Sequence, residues 1–302
     1  MRYSARMFST PEDTEHLVRV VSALFAPPAG LWHVGDVWWG LYQNTVFRPQ
    51  EHIRLWWDAD GRPLGFVWFY PPDEFSWQLL PGTPDRKLLE DEMFEWAEQH
   101  ARDVARHEGL PNPTVTSSAL DVDPDGSGCL LRRGFRRAER RFIHLYRDLA
   151  AAPLPADADA GVVVRPIAGP HEYEARVNLH RDVWQPSKVT IEAYERLQTA
   201  AGYEADLDLV AVTPEGTLAS YCICWLDRIT RVGLFEPVGT RYSCRRKGYG
   251  RAVMLEGLRR LRDRGMARAR VLSAADNEAA IALYRSAGFQ AHAGEYLYVK
   301  EL

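Results

Sequence analysis

Residues 241–265 read RYSCRRKGYGRAVMLEGLRRLRDRG and follow directly on VGLFEPVGT at 232–240. The upstream run reads as a strand. In the downstream run Leu255, Leu258 and Leu261, with Ala252 and Val253, recur at helical spacing, which predicts a helix opening near Gly248. Gly248 and Gly250 let the backbone approach a ligand with no Cβ in the way. Exposed N–H groups at a helix start, together with the helix dipole, make an anion site. Arg245, Arg246, Lys247 and Arg251 surround that site with formal positive charge, and Tyr249 sits inside it. The constellation fits a pyrophosphate.

Two common pyrophosphate motifs are excluded. No GxxxxGK[ST] is present, so this is not a Walker-type loop. The third glycine of GxGxxG is missing and no acidic residue closes a following strand, which argues against a dinucleotide fold. What stands here is Arg-x-x-Gly-x-Gly at 245–250, with Asn277 downstream and then LYRSAGF at 283–289.

Those residues resemble the GNAT superfamily of acetyl-CoA-dependent N-acetyltransferases. Arg245, Gly248 and Gly250 match its acetyl-CoA loop, and Asn277, Leu283, Tyr284, Gly288 and Phe289 match its second signature. The resemblance is close over 163–302 and weak over 1–150. It implies a mixed α/β fold with a mainly antiparallel sheet flanked by helices, and acetyl-CoA as co-substrate. It also implies that the Val238-Gly239-Thr240 backbone pairs with the pantetheine arm as an added strand. Loop 245–251 would then hold the pyrophosphate, and the acetyl carbonyl would lie at a splayed gap between two central strands. Tyr284 falls where the family keeps a tyrosine acid or thiolate stabiliser, or else is a packed aromatic. Asn277 contacts the cofactor, caps the helix after it, or both.

Direct transfer to an amine needs a base, because an alkyl amine with a pKa of about 10.4 is mostly protonated at neutral pH. Glu236, on the strand entering the loop, is the candidate, expected to share a face with Val238 and Thr240. Its alternative is an ordinary strand carboxylate.

The two halves of the chain resemble each other. Gly61 in RLWWDADGRPLGFVW and Gly216 in LVAVTPEGTLASYCI occupy matching turns, 155 positions apart. Phe135 and Phe289, which end GCLLRRGF and IALYRSAGF, are 154 apart. The expected organisation is a degenerate GNAT-like domain at 1–150, an Ala/Pro/Asp-rich linker at 151–162 and a catalytic GNAT domain at 163–302. The layout is that of the tandem members of the family, distantly like the mycothiol synthases.

The first copy lacks the site. Its equivalent stretch, LLPGTPDRKLLEDEMFEWAEQH at 79–100, has no Arg-x-x-Gly-x-Gly, and Asp85, Glu90, Asp91 and Glu92 crowd the helix start with negative charge. Leu130 stands where the second copy has Tyr284, and Asp123 where it has Asn277. No acetyl-CoA binding is expected there. Eight of the ten tryptophans lie in this half, with Trp32, Trp38 and Trp39 in LWHVGDVWWGLYQ at 31–43. They read as core and interface residues, or as a contribution to acceptor binding.

Composition sets the outer limits. The 302 residues are 46% hydrophobic and 26% charged, a balance that supports large cores without disulfides or metals. No run of about 18 apolar residues suggests a membrane span. The first residues, MRYSARMFSTPEDTEHL, hold no apolar segment of a secretory leader. Four scattered cysteines are no disulfide framework, so a cytoplasmic protein is expected. Cys222 and Cys224 share a strand face, but no further ligand nearby makes a metal site. Cys222, Cys224 and Cys244 read as structural, with a thiol made more acidic by the basic cluster as the alternative for Cys244; His180 in NLHRDVW either packs on its helix or lines the acceptor site.

The net charge of −4 conceals a concentration: residues 241–270 carry eleven Lys or Arg against Glu256 and Asp263. A solvated helix face, a nucleic-acid surface and a phosphorylated ligand are the three readings. Few aromatics interleave and the rest of the chain is acidic, which disfavours nucleic acid. The function expected is acetyl transfer from acetyl-CoA to a small-molecule or peptide amine in a ternary complex. Its rival is a non-catalytic acyl-CoA-binding or regulatory protein that keeps the fold.

Overall fold

The computed structural model describes residues 3–25, 30–150 and 162–302. In chain order it forms β1 (Tyr3–Met7), α1 (Glu12–Leu24), α2 (Val34–Tyr42), the single turn α3 (Pro49–His52), β2 (Ile53–Asp58), β3 (Pro63–Tyr70) and β4 (Glu74–Leu79). There follow α4 (Arg86–Glu108), β5 (Thr114–Leu120), α5 (Pro124–Arg132) and β6 (Arg136–Asp148). The second half gives β7 (Val163–Pro166), α6 (Tyr173–Val183), α7 (Ile191–Leu197), β8 (Asp208–Val212), β9 (Leu218–Asp227) and β10 (Val232–Thr240). It ends with α8 (Tyr249–Asp263), β11 (Arg268–Ala274), α9 (Glu278–Ser286) and β12 (Gln290–Glu301). The same order of elements recurs in both halves.

The chain makes two compact units, and neither is continuous in sequence. One comprises Met1–Trp32, Arg48–Phe142 and Ala293–Leu302; the other comprises His33–Phe47 and Ile143–His292. This differs from the expected division into 1–150 and 163–302. The cause lies in the final strand of each half. β12 pairs antiparallel with β5 from Glu295↔Leu120 to Glu301↔Thr114, which places it in the first unit. The outer half of β6 lies beside β11 in the second unit, where Leu149 N donates to Ala267 O at 2.9 Å. Of the expected linker, 151–161 lie outside the described residues.

In the first unit the strand order is β1-β2-β3-β4-β5-β12, antiparallel except for the contact of β4 with β5. Phe75, Phe94, Phe135 and Val115 pack its core against α4. In the second unit the order is β6-β11-β10-β9-β8-β7. Alternation sends Cys222, Cys224 and Phe235 into a core with Leu255, Leu258 and Leu261 of α8, and Tyr221 to the opposite face with Leu179 of α6. Helix α2 also belongs to this unit: Gly35 lies against the Trp225 side chain, and Trp38 against Gly202.

A buried ion pair joins α6 to the sheet. Arg176 Nε donates to Asp208 Oδ1 at 3.2 Å, with the two side chains 2% and 0% exposed. Asp208 Oδ2 also accepts from the Tyr194 hydroxyl at 2.5 Å and the Tyr203 hydroxyl at 3.2 Å. Removing one partner strands the other charge in the core, at a cost of about 3–5 kcal/mol. Asp208→Asn should therefore lower the urea midpoint of tryptophan-fluorescence unfolding well below that of the parent protein. An unchanged midpoint would show that Arg176 does not depend on this carboxylate.

Candidate active site

In the second unit β10 and β11 run parallel only from Val232↔Arg268 to Phe235↔Val271, although both strands continue. The break coincides with an irregularity in the other neighbour. β10 pairs Phe235 with Cys224 and then Val238 with Cys222, so Glu236 and Pro237 together oppose Ile223. That is a β-bulge, which kinks the strand and re-aims side chains. The two strands part beside Glu236, leaving a gap of the kind expected from the family resemblance.

The bulge corrects one expectation. Val238 is paired with Cys222, and Phe235 with Cys224, so both face α8. Thr240 shares that side, because a Cβ at Gly250 in the first turn of α8 would lie 2.9 Å from Thr240 Oγ1. Glu236 follows the parity of Leu234 and faces the opposite side. The extra residue reverses the alternation that a regular strand would keep, so Glu236 does not share a face with Val238 and Thr240.

Glu236 is half-buried, and its carboxyl pKa is pushed up to about 8 by burial and by the Asp36 carboxylate, against a smaller pull from Arg270. Its backbone carbonyl accepts from Trp225 Nε1 at 2.5 Å. Asp36 arrives on α2, whose N-terminus is held by a capping box: Gly35 N donates to His33 Nδ1 at 3.0 Å, and Asp36 accepts from His33 N at 2.7 Å. Since His33 Nδ1 accepts, Nε2 carries the proton and donates to Val232 O at 3.0 Å, fastening α2 to the start of β10. Arg270, fully buried, donates to His144 Nδ1 at 3.0 Å. Tyr146, also from β6, has a buried hydroxyl with no hydrogen bond among the described residues, and burial raises its phenol pKa above the ordinary value, with Arg270 opposing and Asp36 adding to the shift.

Tyr284 approaches from α9 and is 6% exposed. Burial, and then the Glu236 charge, raise its phenol pKa above the ordinary value. Its hydroxyl has no hydrogen bond among the described residues. Arg147 of β6 donates to Ala287 O at the C-terminal end of α9 and packs beneath Gly288, which steadies the helix that presents Tyr284. Asn277 caps the other end of α9 by accepting from Ala280 N at 3.1 Å. Asp123 caps α5 in the same way in the first unit, from Gly126 N at 3.0 Å. The matched positions thus share a capping role, while Leu130, fully buried in the first unit, offers no hydroxyl where Tyr284 does.

The loop before α8 has the backbone of an anion cradle. Arg246 at φ 65° and Gly248 at φ 86° are both left-handed, with one residue between them. A non-glycine residue in that region costs roughly 1–2 kcal/mol, and strain of this kind collects at functional sites. Such turns present successive N–H groups to one concave side. Gly248 provides no capping side chain, and the first helical bond runs from Ala252 N to Gly248 O at 2.9 Å. Tyr249 and Gly250 therefore start the helix without a side-chain cap on their N–H groups. Arg245, Arg246 and Lys247 are exposed and make no ion pair among the described residues. Farther along, the excess positive charge is spent: Arg259 and Arg260 pair with Glu256, and Arg264 with Glu204 and Asp206. Arg259, Arg262 and Arg268 are solvated, Arg259, Arg260, Arg262 and Arg264 are ion-paired and Arg270 is buried, so the cations facing solvent without an ion pair before α8 are Arg245, Arg246 and Lys247.

Every residue singled out from the sequence, from Glu236 to Tyr284, lies in this unit. Sequence reasoning passed over Asp36 and Tyr146. HVGDVWW drew attention to its tryptophans, and the aspartate was hidden among them. Cys222 and Cys224 lie on one face, their sulfurs 4.0 Å apart, and with Cys244 they are buried free thiols.

Comparison with known proteins gives the family and the fold. Residues 173–289 match the acetyltransferase (GNAT) family. A mycothiol acetyltransferase of Segniliparus rotundus is 31% identical over 265 residues, covering 80% of this chain and 92% of the relative. The GCN5-related N-acetyltransferase of Sphaerobacter thermophilus superposes with a TM-score of 0.65 at 20% identity, over 99% of this chain and 96% of its own. A tandem GNAT protein from the clavulanic acid biosynthesis pathway gives 0.65 at 16% identity, over 99% and 98%. The two solved structures share the fold, and the Segniliparus relative carries the likeness through most of the sequence. The chain belongs to the GNAT family of acetyltransferases.

Proposed function

We propose that the second unit transfers an acetyl group from acetyl-CoA to an amine, and that the first unit is a degenerate copy without a cofactor site of its own. The observation that carries this is the parting of β10 from β11 beside Glu236, with Tyr284 of α9 near enough for the Glu236 charge to act on its phenol. The cradle at 245–250 lies on the α8 side of the same strand. Arg245, Arg246 and Lys247, with the uncapped start of α8, suit a pyrophosphate in charge and in donor geometry. Val238, Gly239 and Thr240 are the strand segment available to an extended pantetheine arm. Arg251 and Tyr249 complete the loop, while Asn277 supports it indirectly by capping α9.

Acetyl-CoA supplies the activated carbonyl. Glu236 takes a proton from the acceptor ammonium, and the lone pair this frees bonds to the carbonyl carbon, whose π pair moves onto oxygen; the second proton leaves the nitrogen to water as the carbonyl re-forms. The carbon–sulfur bond then breaks, and Tyr284 donates its O–H to the departing sulfur. A carboxyl with a pKa near 8 is matched to this work, because a base operates best when its pKa lies close to the working pH. A protein that only bound acyl-CoA would have no use for a base and a phenol so near each other beside the parted strands, which favours catalysis over the regulatory alternative. The acceptor is a small-molecule or peptide amine. The name of the Segniliparus relative makes a mycothiol-related amine one compound to test.

Three outcomes follow. Arg245→Ala with Lys247→Ala should weaken acetyl-CoA binding in calorimetry by about 10–100-fold, at roughly 1.5–3 kcal/mol for a charge-assisted bond. Unchanged affinity would move the pyrophosphate elsewhere. With an acceptor whose own pKa lies above 9, kcat should rise with pH and level off near 8 as Glu236 ionises. Glu236→Gln should remove that bend and cost about 100-fold in rate; a bend that persists assigns the base to another group. Tyr284→Phe should lower kcat about 10–100-fold with acetyl-CoA affinity retained, and a kcat at the parent level would exclude Tyr284 from the chemistry.

A further inference from the structure

His52, at the end of α3, and His100, on α4, meet in the first unit. His52 Nδ1 and His100 Nε2 are 3.0 Å apart, in a hydrogen bond that holds one proton between two ring nitrogens. Aromatic neighbours fix the His100 ring: the buried Phe69 of β3 meets it edge-on at 4.7 Å, and Trp96, one turn earlier on α4, stacks on it at 5.0 Å and 14°. Both imidazoles are only partly buried, so solvent reaches them. The second copy has nothing like this pair. The matched turns at Gly61 and Gly216 set an offset of 155 positions, which carries His52 to Leu207 and His100 to Leu255. Both leucines belong to the apolar core of the second unit. Where one copy makes a dry leucine contact, the other brings two imidazole nitrogens together.

We propose that His52 and His100 bind a divalent transition-metal ion, Zn²⁺, with Glu51 as the third protein ligand and water in the rest of the coordination shell. The proposal is independent of the acetyl-transfer reading. Zinc–nitrogen bonds of about 2.0–2.1 Å put two ligand nitrogens on one ion roughly 3.0–3.4 Å apart, which is close to the separation already present. Imidazole is a suitable ligand for this ion. On binding, the proton that lies between the two nitrogens moves to the far nitrogen of its own ring, and both near nitrogens then offer lone pairs. Burial holds both histidines below the ordinary histidine pKa, so protons compete little for those lone pairs at neutral pH. No three His, Cys, Asp or Glu among the described residues already stand in ligating positions, so the third ligand has to swing in. Glu51 is the carboxylate whose charge acts on both imidazoles. It is held by an exposed ion pair with Arg48 at 3.1 Å, a contact that costs little to break in water. The bound ion would tie α3 to α4 and give the first unit a ligand of its own.

The test titrates the full chain, freed of metal by dialysis against EDTA, with zinc chloride in a calorimeter. One Zn²⁺ per chain is expected, with a thermal midpoint that rises as Zn²⁺ is added and returns when EDTA is restored. His52→Gln, which keeps a hydrogen-bonding group beside His100, and His100→Gln should each weaken Zn²⁺ binding at least about tenfold, the least that losing even an outer-sphere partner costs a metal site. Glu51→Gln should weaken it by a smaller factor. In the parent protein Zn²⁺ should also protect His52 and His100 from diethylpyrocarbonate, read by peptide mass. Absence of Zn²⁺ binding, or binding that both histidine variants leave unchanged, would overturn the site. Modification of the two histidines at the metal-free rate would overturn it as well, even where a variant fails to fold.

Discussion

The bulge at Glu236 and Pro237 is the constraint on which the second unit depends. Two residues of β10 stand opposite one of β9, so the strand cannot keep its place beside β11 past Phe235. A regular strand here would close the sheet and point Glu236 to the same side as Val238. The irregular one separates the two: Val238 and Thr240 stay beside the anion cradle, and the carboxylate turns toward α2 and α6. Under the proposed reaction this division has a purpose, since acetyl-CoA and acceptor must meet from opposite sides of a sheet. Burial of the carboxylate next to Asp36 then disfavours its ionised form and brings its titration into the range where a base is useful.

The acceptor side is assembled from distant parts of the sequence. His33–Phe47 brings Asp36 and Trp39, and Ile143–Asp148 brings His144, Tyr146 and Arg147. Arg147 supports the helix that carries Tyr284, and His33 anchors α2 to the strand that carries Glu236. The first half of the chain thus contributes structure to the second unit even though Leu130 stands at its own matching position; of the acids expected to crowd the start of α4 only Asp85 is there, at the N-cap, while Glu90 and Asp91 lie past the first turn and pair with Arg86 and Arg133. On the proposed reading, the duplicated copy without a cofactor cradle of its own survives for the segments it lends.

Much of the fold could be read from local signals. The leucine spacing of α8, the matched turns at Gly61 and Gly216 and the repeated Gly-Phe endings are short-range patterns, and the elements they announce are present. The loop proposed as the cradle was legible for the same reason, since its glycines and charges lie within one turn of each other. The division into units was not, because strand pairing between 114–120 and 295–301 leaves no mark in either segment. Neither was the facing of Glu236. Period-two reasoning assumes regular alternation, and nothing in FEP announces that one residue is extra. Asp36 escaped because its role depends on where α2 docks. The basic run was legible in quantity but not in use: Arg259, Arg260 and Arg264 find their acids on α8 itself and at Glu204 and Asp206.

The central claim is that one cofactor site serves the whole chain and that it lies in the second unit. The most direct measurement is the stoichiometry of acetyl-CoA binding to the full-length protein by isothermal titration calorimetry. The account predicts one molecule bound per chain. Two molecules per chain would contradict it by giving the first unit a working cradle, and none would contradict the cradle itself.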